Sequence, residues 1–397
     1  MARVLCCWER GAALGHLSAL RPFVERAVAD NHDVTLAARE LGNVPQVYGE
    51  LPIKILQAPI AGVTMRSGSP SIRSVGMSLE TYYGEAPELL DVLVRAWDGL
   101  FEAVKPDLVI YDHSPTALIA SLERPWTKWV LGSGFFIPRR DLEPFGMFPQ
   151  RPGATPPADV SPPEGDTRVL AVINQHLCAR GLAPLADLSD IWGQADREWL
   201  ITLPELDHFG ERPDTMYLGI PSAGFAEPSH WPDRSGPKVV GYLAECDALH
   251  PLLAALDQLP INGVFYTRDL GADEIAQYPN LMIHKRPLDL PSLLQDADLM
   301  INMAGHKTVA ETYLAGVPQL MIVRHQEQLL LAWRVMALKA GVAINAKTRE
   351  IRKPLQAAFG LMKRGIEPVS AERAREMSGA RLMREIDAAF NAMNPSP

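Results

Sequence analysis

The sequence predicts an α/β protein built as two Rossmann-like lobes. Three observations carry this expectation. Short apolar runs alternate with stretches of helical periodicity, the pattern of parallel strands joined by crossover helices. The alternation stops at residues 224–237, GFAEPSHWPDRSGP, and then restarts. The length of 397 residues favours two domains over one.

Residues 4–8, VLCCW, read as a buried strand, and 11–15 as a loop. A helix over about 18–30 carries Leu20, Phe23, Val24, Ala27 and Val28 on one side, with Pro22 near its start, where proline is tolerated. Strands follow at 33–38 and 53–58. Helical periodicity over 89–104 ends at Pro106-Asp107, ahead of the strand LVIYD at 108–112. A short helix at 116–122 and a strand at 129–132 come next. From 138 to 165 prolines dominate, which reads as a surface loop or as a lid over a site. After the break, strands are expected at 238–243, 263–267 and 281–284, with a helix at 249–259. Residues 371–389 read as one long final helix that crosses back to the first lobe. The organisation is thus a first domain over 1–223, a linker over 224–237, a second domain over 238–370 and a terminal helix over 371–397.

A hydrophobic fraction of 47% with 21% charged residues describes a globular chain with ample core. The net charge of −9 argues against a nucleic-acid surface and against adhesion to anionic lipid. Cys6, Cys7, Cys178 and Cys246 show no zinc spacing, and a reduced, cytoplasmic setting is expected. No apolar run reaches the length of a membrane span, so no stable membrane insertion is expected.

The most informative stretch is 298–341. It holds an apolar strand, a small-residue turn, a helix start, a second strand after Gly316-Val317-Pro318, and a helix opening on Glu327-Gln328. A turn at a helix N-terminus presents free N–H groups and positive dipole to an anion. An acid–amide pair offers acceptors and donors to neighbouring hydroxyls. Together they suggest a nucleotide-sugar site. Other constellations carry less. Gly132-Ser133-Gly134 follows a strand but is not a nucleophile elbow. Asp112-His113 as a metal pair lacks further ligands. Phe135, Phe136, Phe145 and Phe148 line an apolar acceptor pocket or staple a loop to the core.

Four segments taken together resemble the GT-B fold of the UDP-glycosyltransferase superfamily, of the bacterial macrolide-glycosyltransferase type. They are ALGHLSALRPFVERAVADNHDVTLAA, PDLVIYD, RPLDLPSLLQDADL and the GHKTVAETYLAGVP…EQ block. The resemblance implies two lobes facing across a cleft and an inverting transfer of a hexose from a UDP- or TDP-linked sugar to a hydroxyl of a small-molecule acceptor. It implies no metal and no other cofactor. His16 matches the base that deprotonates the acceptor, and Asp112 the carboxylate that orients it. Gly305 and Thr308 match the family's small-residue phosphate turn. Glu311 matches the acid on the ribose hydroxyls, and Glu327-Gln328 the pair on the sugar hydroxyls.

The chain departs from that pattern at one place. Met303 stands where the family keeps a diphosphate-binding histidine, and Ala304 and Lys307 stand where it keeps glycines. Lys307 at the helix start is expected to supply charge to the diphosphate, and His306 an N–H. The same departure supports an alternative, a glycosyltransferase-like binding or scaffold protein with a degenerate donor turn. A nucleotide-sugar epimerase is a more distant reading, with no carboxylates to assign to it.

Overall fold

A computed structural model describes residues 1–11, 14–49, 51–60, 72–83, 87–150, 163–221 and 229–393. The described chain packs into two compact units. The first comprises Met1–Thr202, Phe209–Pro221 and Arg381–Pro397; the second comprises Leu203–His208 and Ser222–Ala380. Part of the expected linker, 224–228, and part of the proline-rich segment, 151–162, lie outside the described residues.

The first unit is built on β1 (Arg3–Trp8), β2 (Asp33–Ala38), β3 (Lys54–Gln57), β4 (Leu108–Asp112), β5 (Thr127–Gly132) and β6 (Arg197–Leu200). All pair in parallel, in the order β3-β2-β1-β4-β5-β6. Parallel strands are covered on both faces, so they read as unbroken apolar runs. VLCCW in β1 and LVIYD in β4 are buried along their whole length. The helix Leu14–Ala29 follows β1 and buries Leu17, Leu20, Phe23, Val24 and Ala27, the face read from the sequence except that Val28 is only partly buried; the helix begins earlier than expected, so Pro22 lies inside it rather than near its start.

The second unit repeats the plan with β7 (Lys238–Tyr242), β8 (Asn262–Tyr266), β9 (Leu281–His284), β10 (Leu299–Asn302), β11 (Gln319–Val323) and β12 (Gly341–Asn345). Their order is β12-β11-β10-β7-β8-β9, again all parallel. Counted from its own first strand, each sheet therefore runs 3-2-1-4-5-6. In such sheets the order reverses between the first and fourth strands, and ligands bind beyond the strand ends at that point. The two switch points fall at β1/β4 and β7/β10.

Two expectations need correction. Residues 371–389 are not one helix. A turn of helix at Ala371–Arg375 leads into 376–380, where Ser378 and Gly379 leave helical geometry, Gly379 at φ 109°, and a new helix runs Arg381–Met393. A side chain at 379 would be strained at that φ, which explains both the glycine and the break. The helix Glu164–Ala179 and the edge strand β6 were not expected from the pattern. β6 is four residues, REWL, with its first half only partly buried, too short for alternation to register. Among the described residues no helix is long and apolar enough to cross a membrane.

Candidate functional site

In the first unit the parallel register sets Trp8 at the end of β1 opposite Asp112 at the end of β4. His16 sits in the first turns of the helix that follows β1. This brings His16 Nδ1 to 3.0 Å from Asp112 Oδ2, with both residues buried. The imidazole lies over Trp8 at 5.4 Å and against Phe136 at 5.1 Å between ring centres. Its Nε2 faces the backbone of Gly11, so close that a Cβ at position 11 would lie 2.2 Å from that nitrogen. Burial pushes the Asp112 carboxyl above its ordinary value, and the charge and hydrogen bond of His16 oppose this only in part. A carboxylate made more basic by burial holds the Nδ1 proton firmly. That fixes Nε2 as the nitrogen able to accept a proton.

Two further groups lie at these strand ends; the sequence offered His113 only as half of a metal pair with Asp112, and Glu9 was not singled out. His113, next to Asp112, is held at φ 45°, unusual for a residue with a side chain, while its carbonyl accepts from Arg10 N at 3.1 Å. Its ring lies 5.7 Å from His16 and 4.2 Å from Phe136. Burial, reinforced by the charges of Arg10 and His16, pushes the His113 imidazole well below its usual range and keeps it neutral. Glu9 is buried and accepts from Thr116 N at 3.0 Å, Ala117 N at 3.2 Å and the Thr116 hydroxyl, closing the start of the helix Pro115–Ala120. Burial raises its carboxyl to about 7, against the pull of those hydrogen bonds and of Arg10. The only signal for Glu9 was proximity to a strand end. Of the loop aromatics, Phe145 and Phe148 are buried, whereas Phe135 and Phe136 stay partly exposed, Phe136 against His16 and His113 and Phe135 edge-on to Phe136.

In the second unit β10 ends on buried Asn302, whose amide donates to Gln319 Oε1 at 2.9 Å and accepts from Ala304 N at 2.8 Å. This clamp holds the turn. Ala304 takes the left-handed position at φ 53°, and Gly305 caps the helix His306–Leu314 from extended geometry. Met303 packs partly buried against the unit's core.

Lys307 does not stand alone at the helix start. Its ammonium lies 3.0 Å from Glu311 Oε1, one turn on, with both side chains largely buried. The two residues expected to contact different parts of a nucleotide are thus joined to each other. Thr308 carries its expected place in the first turn, and its carbonyl accepts from Thr312 Oγ1 at 2.7 Å. Gln328 is buried, and its carbonyl accepts from Arg324 N at 2.7 Å, leaving its NH₂ as the group able to donate.

Glu327 lies in the first turn of the helix Gln326–Ala337. One oxygen is 3.6 Å from His208 Nε2, the other 3.7 Å from His325 Nδ1. His208 in turn stacks on His306 at 5.8 Å. Burial alone would raise the Glu327 carboxyl; His208, with His325 and His306, outweighs it and brings the carboxyl below its ordinary value. His306 moves the other way: burial, aided by His208, pushes its imidazole down to about 3. It is a neutral ring able to offer one N–H. His208 was not singled out in the sequence; it lies far upstream and only the fold brings it here.

No protein-family model matches the chain. A UDP-N-acetylglucosamine–N-acetylmuramyl-(pentapeptide) pyrophosphoryl-undecaprenol N-acetylglucosamine transferase of an Exiguobacterium species is 34% identical over 74 residues, covering 18% of this chain. That match spans about a fifth of the relative's length, 21%. Among solved structures, the glycosyltransferase of kitacinnamycin superposes with a TM-score of 0.63 at 15% identity, over 98% of each chain. The calicheamicin glycosyltransferase CalG4 gives 0.63 at 17% identity, over 99% of each chain. SsfS6 from Streptomyces sp. SF2575, solved with thymidine diphosphate, gives 0.60 at 19% identity, over 98% of this chain and all of its own. Two α/β units with matching sheets, aligned along nearly the whole chain, give this protein the GT-B fold found in these natural-product glycosyltransferases.

Proposed function

We propose that the protein is an inverting glycosyltransferase that moves a hexose from a nucleotide diphosphate sugar to a hydroxyl of a small-molecule acceptor. The observation that carries this reading is the His16–Asp112 pair at 3.0 Å, at the switch point of the first sheet. His16 Nε2 takes the acceptor proton as the oxygen attacks the anomeric carbon, and Asp112 holds the tautomer and stabilises the imidazolium. In the second unit the N–H groups at the start of the helix His306–Leu314 receive the leaving diphosphate. Glu311 takes the ribose hydroxyls, and Glu327 with the Gln328 amide takes those of the sugar. The thymidine diphosphate in SsfS6 supports a nucleotide diphosphate as the donor's leaving part.

A second reading is favoured by two observations. Met303 offers no hydrogen-bond donor, and Lys307 is tied to Glu311. A binding or scaffold protein with a weakened donor turn is consistent with both. Calorimetry with UDP, TDP and their hexoses, followed by a turnover assay on a panel of hydroxylated acceptors, separates the two. Saturable nucleotide binding with product formation that is lost in His16→Ala supports the enzyme. Binding without turnover supports the scaffold, and no binding of any nucleotide overturns the donor-site assignment.

A further inference from the structure

Resting on that donor-site reading, we propose that His208 is a positioning residue, which holds the Glu327 carboxylate in place for the hydroxyls of the donor sugar. His208 belongs to Leu203–His208, a short segment that packs with the second unit although it precedes that unit's first strand. Nothing in the resemblance assigns it a role.

A carboxylate on a side chain with three rotatable bonds accepts two adjacent hydroxyls well only if its plane is fixed beforehand, since otherwise binding must also order it. Each Glu327 oxygen faces one histidine, but the two histidines differ in kind. The His325 side chain is 58% exposed and sits in solvent, where an ion pair at 3.7 Å restrains little. The His208 side chain has no exposed surface, and its ring is stacked on His306. It is therefore the rigid member, and Oε1 at 3.6 Å from its Nε2 takes its orientation from that ring. The Gln328 side-chain carbonyl beside it is occupied by Arg324 N. Fixing Oε1 leaves the remaining lone pairs of the carboxylate directed by the fold, not by the ligand. The chemical class this favours is a donor whose sugar keeps free, adjacent hydroxyls. A sugar lacking them leaves the held carboxylate unpaired.

The test uses the full chain, UDP-glucose, TDP-glucose, UDP and TDP in calorimetry, and the variants His208→Leu and His208→Gln. His208→Leu is expected to weaken the hexose-bearing nucleotide by about tenfold or more while bare diphosphate binding stays within about threefold. His208→Gln, which places an amide N–H where the ring nitrogen stood, is expected to recover part of the loss. Equal losses for both ligands, or no loss for either, overturn the proposal, because a merely structural histidine moves them together. If His208→Leu does not fold, His208→Gln decides alone. A loss confined to the hexose-bearing nucleotide supports the proposal, and unchanged affinity overturns it. Should the unmodified protein bind none of the four, the donor-site reading itself falls, a result distinct from any of the variant outcomes.

Discussion

His16 and Asp112 lie far apart in the chain and meet at 3.0 Å, Nδ1 to Oδ2, because β1 and β4 pair side by side and end level. Asp112 thereby sets which imidazole nitrogen is basic. His16→Ala is expected to lower turnover by roughly 10²–10⁴-fold, the usual worth of acid–base catalysis, with nucleotide affinity unchanged. Asp112→Asn keeps the shape but loses the charge, and a comparable fall in kcat with an intact melting transition is expected. Steady-state kinetics beside calorimetry checks both.

Gly11 gives an independent handle on the same nitrogen. It adopts φ +90°, and a Cβ there would meet His16 Nε2 at 2.2 Å. Gly11→Ala should cost about 1 kcal/mol in backbone strain, read as a lowered melting temperature. Turnover should fall by about 10² or more, since the imidazole must move off its line with Asp112. Turnover equal to the unmodified protein would show that Nε2 is not the reacting nitrogen.

The donor turn yields a prediction opposite to the one its sequence suggests. Read alone, Lys307 serves the diphosphate, and its removal spares nucleoside binding. Joined to Glu311 at 3.0 Å, it instead holds the acid assigned to the ribose. Lys307→Ala should therefore weaken uridine and UDP, or thymidine and TDP, by similar factors of about 2–10. A loss confined to the diphosphate forms in calorimetry restores the simpler role.

Glu9 predicts a pH dependence of stability. Its folded carboxyl is raised to about 7 from the ordinary 4.5. Below about 4.5 it is protonated in both states. Between there and about 7 the unfolded chain has lost the proton and the folded chain keeps it, so stability falls as pH rises across that window. The full effect is on the order of 3 kcal/mol. Denaturant melts at pH 5 and pH 8 should show the decline, and Glu9→Gln should flatten it. A slope unchanged in Glu9→Gln would assign the dependence to other groups.

What was legible in the sequence divides along a physical line. Fully buried parallel strands announce themselves, because both faces must be apolar; β1, β4 and the helix face of Leu20, Phe23 and Val24 were read correctly for that reason. The pairing of His16 with Asp112 was legible through the resemblance, and it sits where open sheets collect ligands, at a helix start and a strand end. β6 was not, since four residues at a sheet edge carry no period. The Lys307–Glu311 pair was open to reading as an (i, i+4) spacing, but expected ligand roles drew the two residues apart. His208 was beyond reach. Its contact with Glu327 depends on how a connecting segment is routed, and neither composition nor periodicity encodes that route.

The break at Gly379 has a consequence for how the molecule comes into being. The helix Arg381–Met393 returns to the first unit: Phe390 is fully buried there, edge-on to Trp129 and beside His32, and Arg26 bonds Asp387 and Asn391. A chain emerging from the ribosome therefore makes almost all of its amino-terminal unit, then the whole second unit, before the piece that seals the first has been synthesised. During that interval the pocket for Phe390 stands open and apolar. The second unit, whose described elements end before residue 381, is free to mature first, and the older part of the polypeptide waits for the younger.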